Sequence, residues 1–322
     1  MIAVVQREYG PPEILERTEI EKPGAGRDQV LVRVRAAAVH PGDYFVMTGV
    51  PYMVRVAFGL RRPRCGVPGR DFAGEVEAVG ADVEGLRPGD EVFGWSTAGT
   101  LAEYVCVGAD HVALKPANLT MAQAAAVPTS AFTALQALRD VADVQPGQRV
   151  AITGASGGVG TFAVQIAKSL GAEVTGVCST RNIDLVRSLG ADHIVDYTKA
   201  DFTQSGQRYD VILDSVEAQP LSKVRSALAP RGVLIPNSGS GGRWIGPLGR
   251  ILMARALSLL TRQTLRPFLS RESQDDLLAL KELAEDGRLT PVIDRSYPLS
   301  QAAAALRHVG EGHSRGKVVI KV

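Results

Sequence analysis

Between Ile2 and about Ala109 apolar and polar residues alternate in short runs, QVLVRVRAAAV, AGEVEAVG and DEVFGW, parted by turn sequences such as KPGAG and RPGDE. Side chains on a strand point to opposite faces in turn, so this period of two predicts a mostly antiparallel β domain. From MAQAAAVPTSAFTALQAL onward the pattern changes, and helical segments alternate with VAITG, EVTGVC, HIVDY, DVILDSV and GVLIPNS. That succession predicts a doubly wound parallel sheet. The last stretch, PVIDRSYPLSQAAAALRHV then GKVVIKV, reads as strand, helix and strand, the chain returning to finish its first domain. The expected fold class is α/β, with residues 1–120 and 266–322 forming the β domain and residues 121–265 the parallel-sheet domain. The sequence holds no internal repeat and no low-complexity tail.

VAITGASGGVG, Val150 to Gly160, places four glycines within seven residues between a short apolar strand and the helical TFAVQIAKSLGA. A strand stopped by a glycine turn at a helix start presents unsatisfied N–H groups and a positive dipole end, which suits a phosphate or pyrophosphate. A tight turn without a ligand would carry similar glycines, so the next strand, EVTGVC, is what favours a dinucleotide. An acidic residue at its end would hold a ribose 2′-hydroxyl, whereas Ser179, Thr180, Arg181 and Asn182 offer hydroxyls and a guanidinium. This predicts a 2′-phosphate on the cofactor, hence NADPH over NADH.

A chain of 322 residues exceeds the usual reach of one core, in keeping with two domains. Its formal net charge of +2 gives no reason to expect a nucleic acid or an anionic membrane as partner. MIAVVQREYGPPE has no basic start followed by an apolar core, so no export signal is read and a cytoplasmic protein is expected. Cys65, Cys106 and Cys178 are odd in number and far apart, which argues against a disulfide framework and against a cysteine-rich zinc site. Pro51 to Gly66 mixes Met53, Val54, Val56, Phe58 and Leu60 with Arg55, Arg61, Arg62 and Arg64. It invites a membrane-surface or anionic-ligand reading, but a surface loop or short helix with its apolar side on the β domain and its arginines in water is the expectation. A second basic and apolar stretch, near Pro247 to Phe268, fits a helix and an edge strand.

GRDFAGEVEAVG with PGDEVFG, AAAVPTSAFTALQAL, GASGGVG, LGADHIVDYT and GKVVIKV together resemble the medium-chain dehydrogenase/reductase superfamily, in its zinc-free quinone oxidoreductase-like branch. The resemblance covers essentially the whole chain. It implies a GroES-like β domain, a Rossmann domain inserted before the C-terminal return, an active site in the cleft between them, and a homodimer. The places that hold catalytic zinc in the metal-dependent branch are His40, Arg70 and Thr129 here, a set that cannot supply three ligands, so no metal is expected. Hydride transfer without a Lewis acid needs an acceptor that is already electrophilic, such as a quinone or an α,β-unsaturated ketone or aldehyde.

The resemblance also carries roles to individual residues. Thr133 falls on the nicotinamide side, Gly157, Gly158, Val159 and Gly160 at the pyrophosphate, and Ser179, Arg181 and Tyr197 at the 2′-phosphate. Asn237 and Ser238 follow a strand at its carboxyl end, where ligands collect in such sheets, and Lys317 matches a family lysine that lies near the cofactor or on the surface. In VHPGDYFVMTGVPY the family's asparagine place is His40 and its aspartate is Asp43, while Phe45 and Met47 replace more polar residues. Tyr52 or His40 is then the expected donor to the substrate carbonyl, with Tyr44 the other phenol close by. Reduction of an enoyl thioester, with the arginines after Tyr52 meeting a carrier phosphate, and a non-catalytic NADPH sensor are the alternatives.

Overall fold

A computed structural model describes residues 1–237, 242–245, 248–259 and 261–322. The chain forms two compact units, Met1–Phe132 with Glu272–Val322, and Thr133–Arg271.

The first unit opens with β1 (Ile2–Val5), β2 (Glu16–Glu19), β3 (Gln29–Val39), α1 (Pro41–Thr48), α2 (Met53–Phe58), β4 (Asp71–Val79), β5 (Glu91–Trp95), β6 (Tyr104–Gly108) and β7 (Val112–Leu114). α3 (Met121–Ala125) and α4 (Pro128–Leu135) follow. The second unit adds β8 (Arg149–Thr153), α5 (Gly158–Ser169), β9 (Glu173–Cys178), α6 (Ile183–Ser188), β10 (His193–Asp196), β11 (Tyr209–Asp214) and α7 (Leu221–Ser226). It ends with β12 (Leu228–Pro236), α8 (Gly242–Ile245), α9 (Leu248–Leu259) and β13 (Thr264–Leu265). α10 (Gln274–Glu285), β14 (Ile293–Pro298), α11 (Ala302–Gly310) and β15 (Lys317–Lys321) return to the first unit.

In the first unit a seven-stranded sheet runs β14-β15-β3-β4-β5-β7, with β6 also paired to β3. Every pair is antiparallel except β14 with β15. Period-two alternation puts Val30, Val32 and Val34 of β3 into one core with Phe72 and Val76 of β4, while Arg33 and Arg35 face water. α11 covers that core through Ala302, Ala305, Leu306 and Val309, the spacing of one helical face. Burying a side chain such as Phe72 there contributes roughly 2–3 kcal/mol.

The second unit is the doubly wound parallel sheet expected from the alternation of helices and strands, in the order β10-β9-β8-β11-β12-β13. The chain adds β9 and β10 on one side of β8, then crosses back to add β11 on the other. The switch point, where such sheets bind ligands, therefore lies between the carboxyl ends of β8 and β11. α9 and the edge strand β13 occupy the second basic and apolar stretch in the manner expected.

The units divide later than the expected 120/121 and 265/266, for two reasons. α3 packs on β3, β4, β5 and β15 of the first unit, so residues just after 120 stay there. Thr133 donates to Ser270 Oγ (3.0 Å), and Gln136 exchanges bonds with the backbone of Arg271 (2.7 and 2.9 Å), which holds the segment after β13 to the second unit.

Candidate functional site

The glycine turn is built so closely that side chains would not fit. Gly154 ends β8 with φ +64, and a Cβ on Gly160 would stand 2.1 Å from the Gly154 carbonyl oxygen. Gly157 caps α5 without a side chain, so the N–H groups of Gly158, Val159 and Gly160 open the helix bare, as an anion site requires. α5 itself is buried continuously from Gly160 to Ala167, which fixes this end against the sheet.

At the end of β9 the structure brings together residues the sequence left apart. Asn182, buried, donates to Ser156 Oγ (2.8 Å) in the glycine turn and to Ser179 Oγ (3.3 Å), tying the two loops to each other. Arg181 and Tyr197 are both exposed at this rim. Sequence reading found no carboxylate here, yet Asp196 arrives from the neighbouring strand, in register with Cys178. Thr180 and Thr198 hydroxyls donate to it (2.5 and 2.7 Å) and hold its pKa down to about 2, with Lys199 3.6 Å away. Burial, with the Asp196 charge adding, pushes the Cys178 thiol up to about 11, so it stays a neutral core group.

The switch point itself holds a charged cluster that no sequence pattern flagged. Asp214, at the end of β11, accepts from Thr153 Oγ1 (2.8 Å) and pairs with Arg250 of α9, whose other arm reaches Glu217 (3.0 Å). Burial raises the Asp214 carboxyl against the pull of Thr153 and Arg250. Asn237 donates its N–H to the Asp214 carbonyl (2.9 Å), which places this residue on the same side; Ser238 lies outside the described residues.

In the first unit the start of α1 forms a capping box. Asp43 accepts from the His40 N–H (2.8 Å), and His40 Nδ1 accepts from the Gly42 N–H (3.0 Å). A Cβ on residue 42 would lie 2.7 Å from the imidazole Cε1, so glycine makes room for the ring. With Nδ1 accepting, a neutral ring carries its proton on Nε2. That Nε2 is buried, has no hydrogen-bond partner among the described residues, and stands 3.5 Å from Asp43 Oδ2. Burial pushes the Asp43 carboxyl above its usual range; His40 and Lys317 oppose this and Asp71 adds to it. Tyr52 starts α2 and takes a different partner, the Arg55 guanidinium over its ring (4.9 Å). Tyr44 is a packing residue, its ring against Gly310 of α11.

Lys317 is not a surface residue: it is 2% exposed, with Nζ 3.1 Å from Asp71 Oδ2 and 3.0 Å from Ser130 Oγ. Asp71 also accepts from the Thr129 N–H (3.1 Å) and hydroxyl (2.5 Å). The three places of a catalytic zinc are therefore committed otherwise. His40 caps a helix, Arg70 is ion-paired with Glu272, and Thr129 donates to Asp71. A guanidinium and a donating hydroxyl do not fit a zinc ion.

Comparison with known proteins agrees with this architecture. The alcohol dehydrogenase GroES-like domain family matches residues 26–117, and a family described as zinc-binding dehydrogenase matches residues 189–320. The chloroplastic quinone-oxidoreductase homolog of Spinacia oleracea is 31% identical over 97% of this chain and 95% of its own length. The 2-methylene-furan-3-one reductase of Solanum lycopersicum is 33% identical, over 97% of this chain and 77% of its own. The solved quinone oxidoreductase of Coxiella burnetii superposes with a TM-score of 0.86 at 30% identity, covering 100% of this chain and 99% of that one.

Lys317→Ala leaves the buried Asp71 carboxyl without its cation, and is expected to lower stability by about 3–5 kcal/mol in urea denaturation. The double variant Lys317→Met with Asp71→Asn should recover a large part of that loss.

Proposed function

Because the chain belongs to the medium-chain dehydrogenase/reductase superfamily, in its zinc-free quinone oxidoreductase-like branch, we propose that it is an NADPH-dependent, zinc-independent reductase. Its acceptors are quinones or the activated C=C bonds of α,β-unsaturated ketones and aldehydes. The observation that carries this reading is the commitment of His40, Arg70 and Thr129 to a helix cap, an ion pair and a carboxylate. Residues so engaged leave activation of the carbonyl to hydrogen bonding, which suffices for an acceptor that is already electrophilic.

NADPH supplies the hydride when bound. The bare N–H groups of Gly158, Val159 and Gly160, at the positive end of α5, would hold its pyrophosphate. Arg181 and Lys199 attract the 2′-phosphate, while the fixed charge of Asp196 opposes it, so preference for the phosphorylated cofactor rests on the cations outweighing one carboxylate. Ser179, Tyr197, Thr133 and Asn237 would serve the remaining cofactor positions. As hydride reaches the β-carbon or the quinone, charge gathers on the carbonyl oxygen. His40 Nε2, which has no hydrogen-bond partner among the described residues and lies 3.5 Å from Asp43 Oδ2, is the donor for it, and Tyr52 is the phenol to test beside it.

Chelator-treated protein is expected to oxidise NADPH with quinones or enones and to leave saturated ketones untouched. Turnover that returns only with added zinc would overturn the reading. His40→Ser keeps a helix-capping oxygen but removes the ring donor, and is expected to lower kcat by at least about a hundredfold with little change in KM for NADPH. Equal turnover in wild type, His40→Ser and Tyr52→Phe would remove both residues from the chemistry. Arg181→Ala should weaken NADPH binding about tenfold while NADH changes by less than about twofold; calorimetric titration showing equal losses would refute the 2′-phosphate role.

A further inference from the structure

The segment after α1 does not follow the expectation that its apolar side rests on the β domain. α2 reads MVRVAF and has no buried residue. An almost wholly apolar helix is ordinarily enclosed. Here Met53 is 43% exposed, Val56 63% and Phe58 37%; Leu60, just beyond, is 73% exposed, and Phe45 on α1 45%. These are five of the thirteen exposed large apolar residues described, gathered within sixteen positions of a 322-residue chain.

The lobe is held in this posture. Tyr9 Oη donates to the Gly59 carbonyl (2.5 Å), Arg55 Nε to the Gly49 carbonyl (3.0 Å), and the Arg64 N–H to the Phe58 carbonyl (2.8 Å). The Arg55 guanidinium also lies over the Tyr9 ring (4.6 Å). From Tyr44 through Arg70 the sequence has five arginines, Arg70 included, and neither aspartate nor glutamate. Arg55 and Arg70 are engaged within the unit, while Arg61, Arg62 and Arg64 are exposed beside Leu60. The overall charge of +2 conceals this local field.

We propose that the lobe from Met53 to Arg64 seats the protein on an anionic membrane surface, with Met53, Val56, Phe58 and Leu60 entering the acyl boundary and Arg61, Arg62 and Arg64 meeting headgroup phosphates. A free anion would use the arginines and leave the apolar side chains in water, whereas a bilayer interface takes both. The attachment is peripheral, since no helix among the described residues is long and apolar enough to cross a membrane. The inference is independent of the acceptor.

The test is co-sedimentation of the full chain with phosphatidylcholine vesicles, with and without phosphatidylglycerol, at low and high salt. Binding is expected only with the anionic lipid and should fall as salt rises. The triple variant Arg61→Gln, Arg62→Gln, Arg64→Gln should reduce partitioning about a hundredfold, and Phe58→Ser with Leu60→Ser at least about tenfold, both with unchanged near-ultraviolet circular dichroism. Equal binding to the two kinds of vesicle, none to either, variants that bind like wild type, or displacement by inorganic phosphate at matched ionic strength would each overturn it.

Discussion

The β unit depends on one buried ion pair. The side chains of Lys317 and Asp71 are 1% and 0% exposed, and each would cost several kcal/mol to bury alone. Together they are tolerable because both ends have further hydrogen bonds: Ser130 accepts from the ammonium, and Thr129 donates twice to the carboxylate. The pair joins the first residue of β4, the first residue of β15 and the first turn of α4. Residues 246 positions apart must meet for it to form, and the whole parallel-sheet unit is encoded between them. Closing so long a loop is entropically unfavourable, and the register of β15 against β3, Val318 on Val39, together with this pair, offsets that cost.

Much of the architecture was legible because periodicity reports burial. The two-residue period of QVLVRVRAAAV and the succession of apolar strands and helices from residue 121 each describe a face hidden from water, and both sheets follow from them. The glycine turn was legible for a related reason: only absent side chains allow Gly154 and Gly160 to approach as they do. What periodicity cannot convey is which residue a neighbouring strand delivers. Asp196 reaches the end of β9 through the register of β10, and Arg250 reaches Asp214 from a helix 36 residues on.

The same limit explains Pro51 to Gly66. Apolar residues were expected to face the β domain, which is the usual outcome. The segment is instead pinned by Tyr9 and by the Gly49 carbonyl, contacts that sequence spacing does not announce, and its apolar side chains turn outward. Lys317 was recognised by family resemblance, but nothing in RGKVV distinguishes a buried lysine from a solvated one.

The cap at the start of α1 has a chemical consequence. Because the Gly42 amide occupies Nδ1, backbone conformation rather than solvent selects the imidazole tautomer, and the selection lasts while the helix start is intact. Fraying of one turn would free the ring to isomerise and turn an N–H toward the former acceptor side. Local order at residues 40–43 and the chemical identity of Nε2 are thus a single variable, so amide exchange at Gly42 becomes a gauge of how long the ring keeps its orientation.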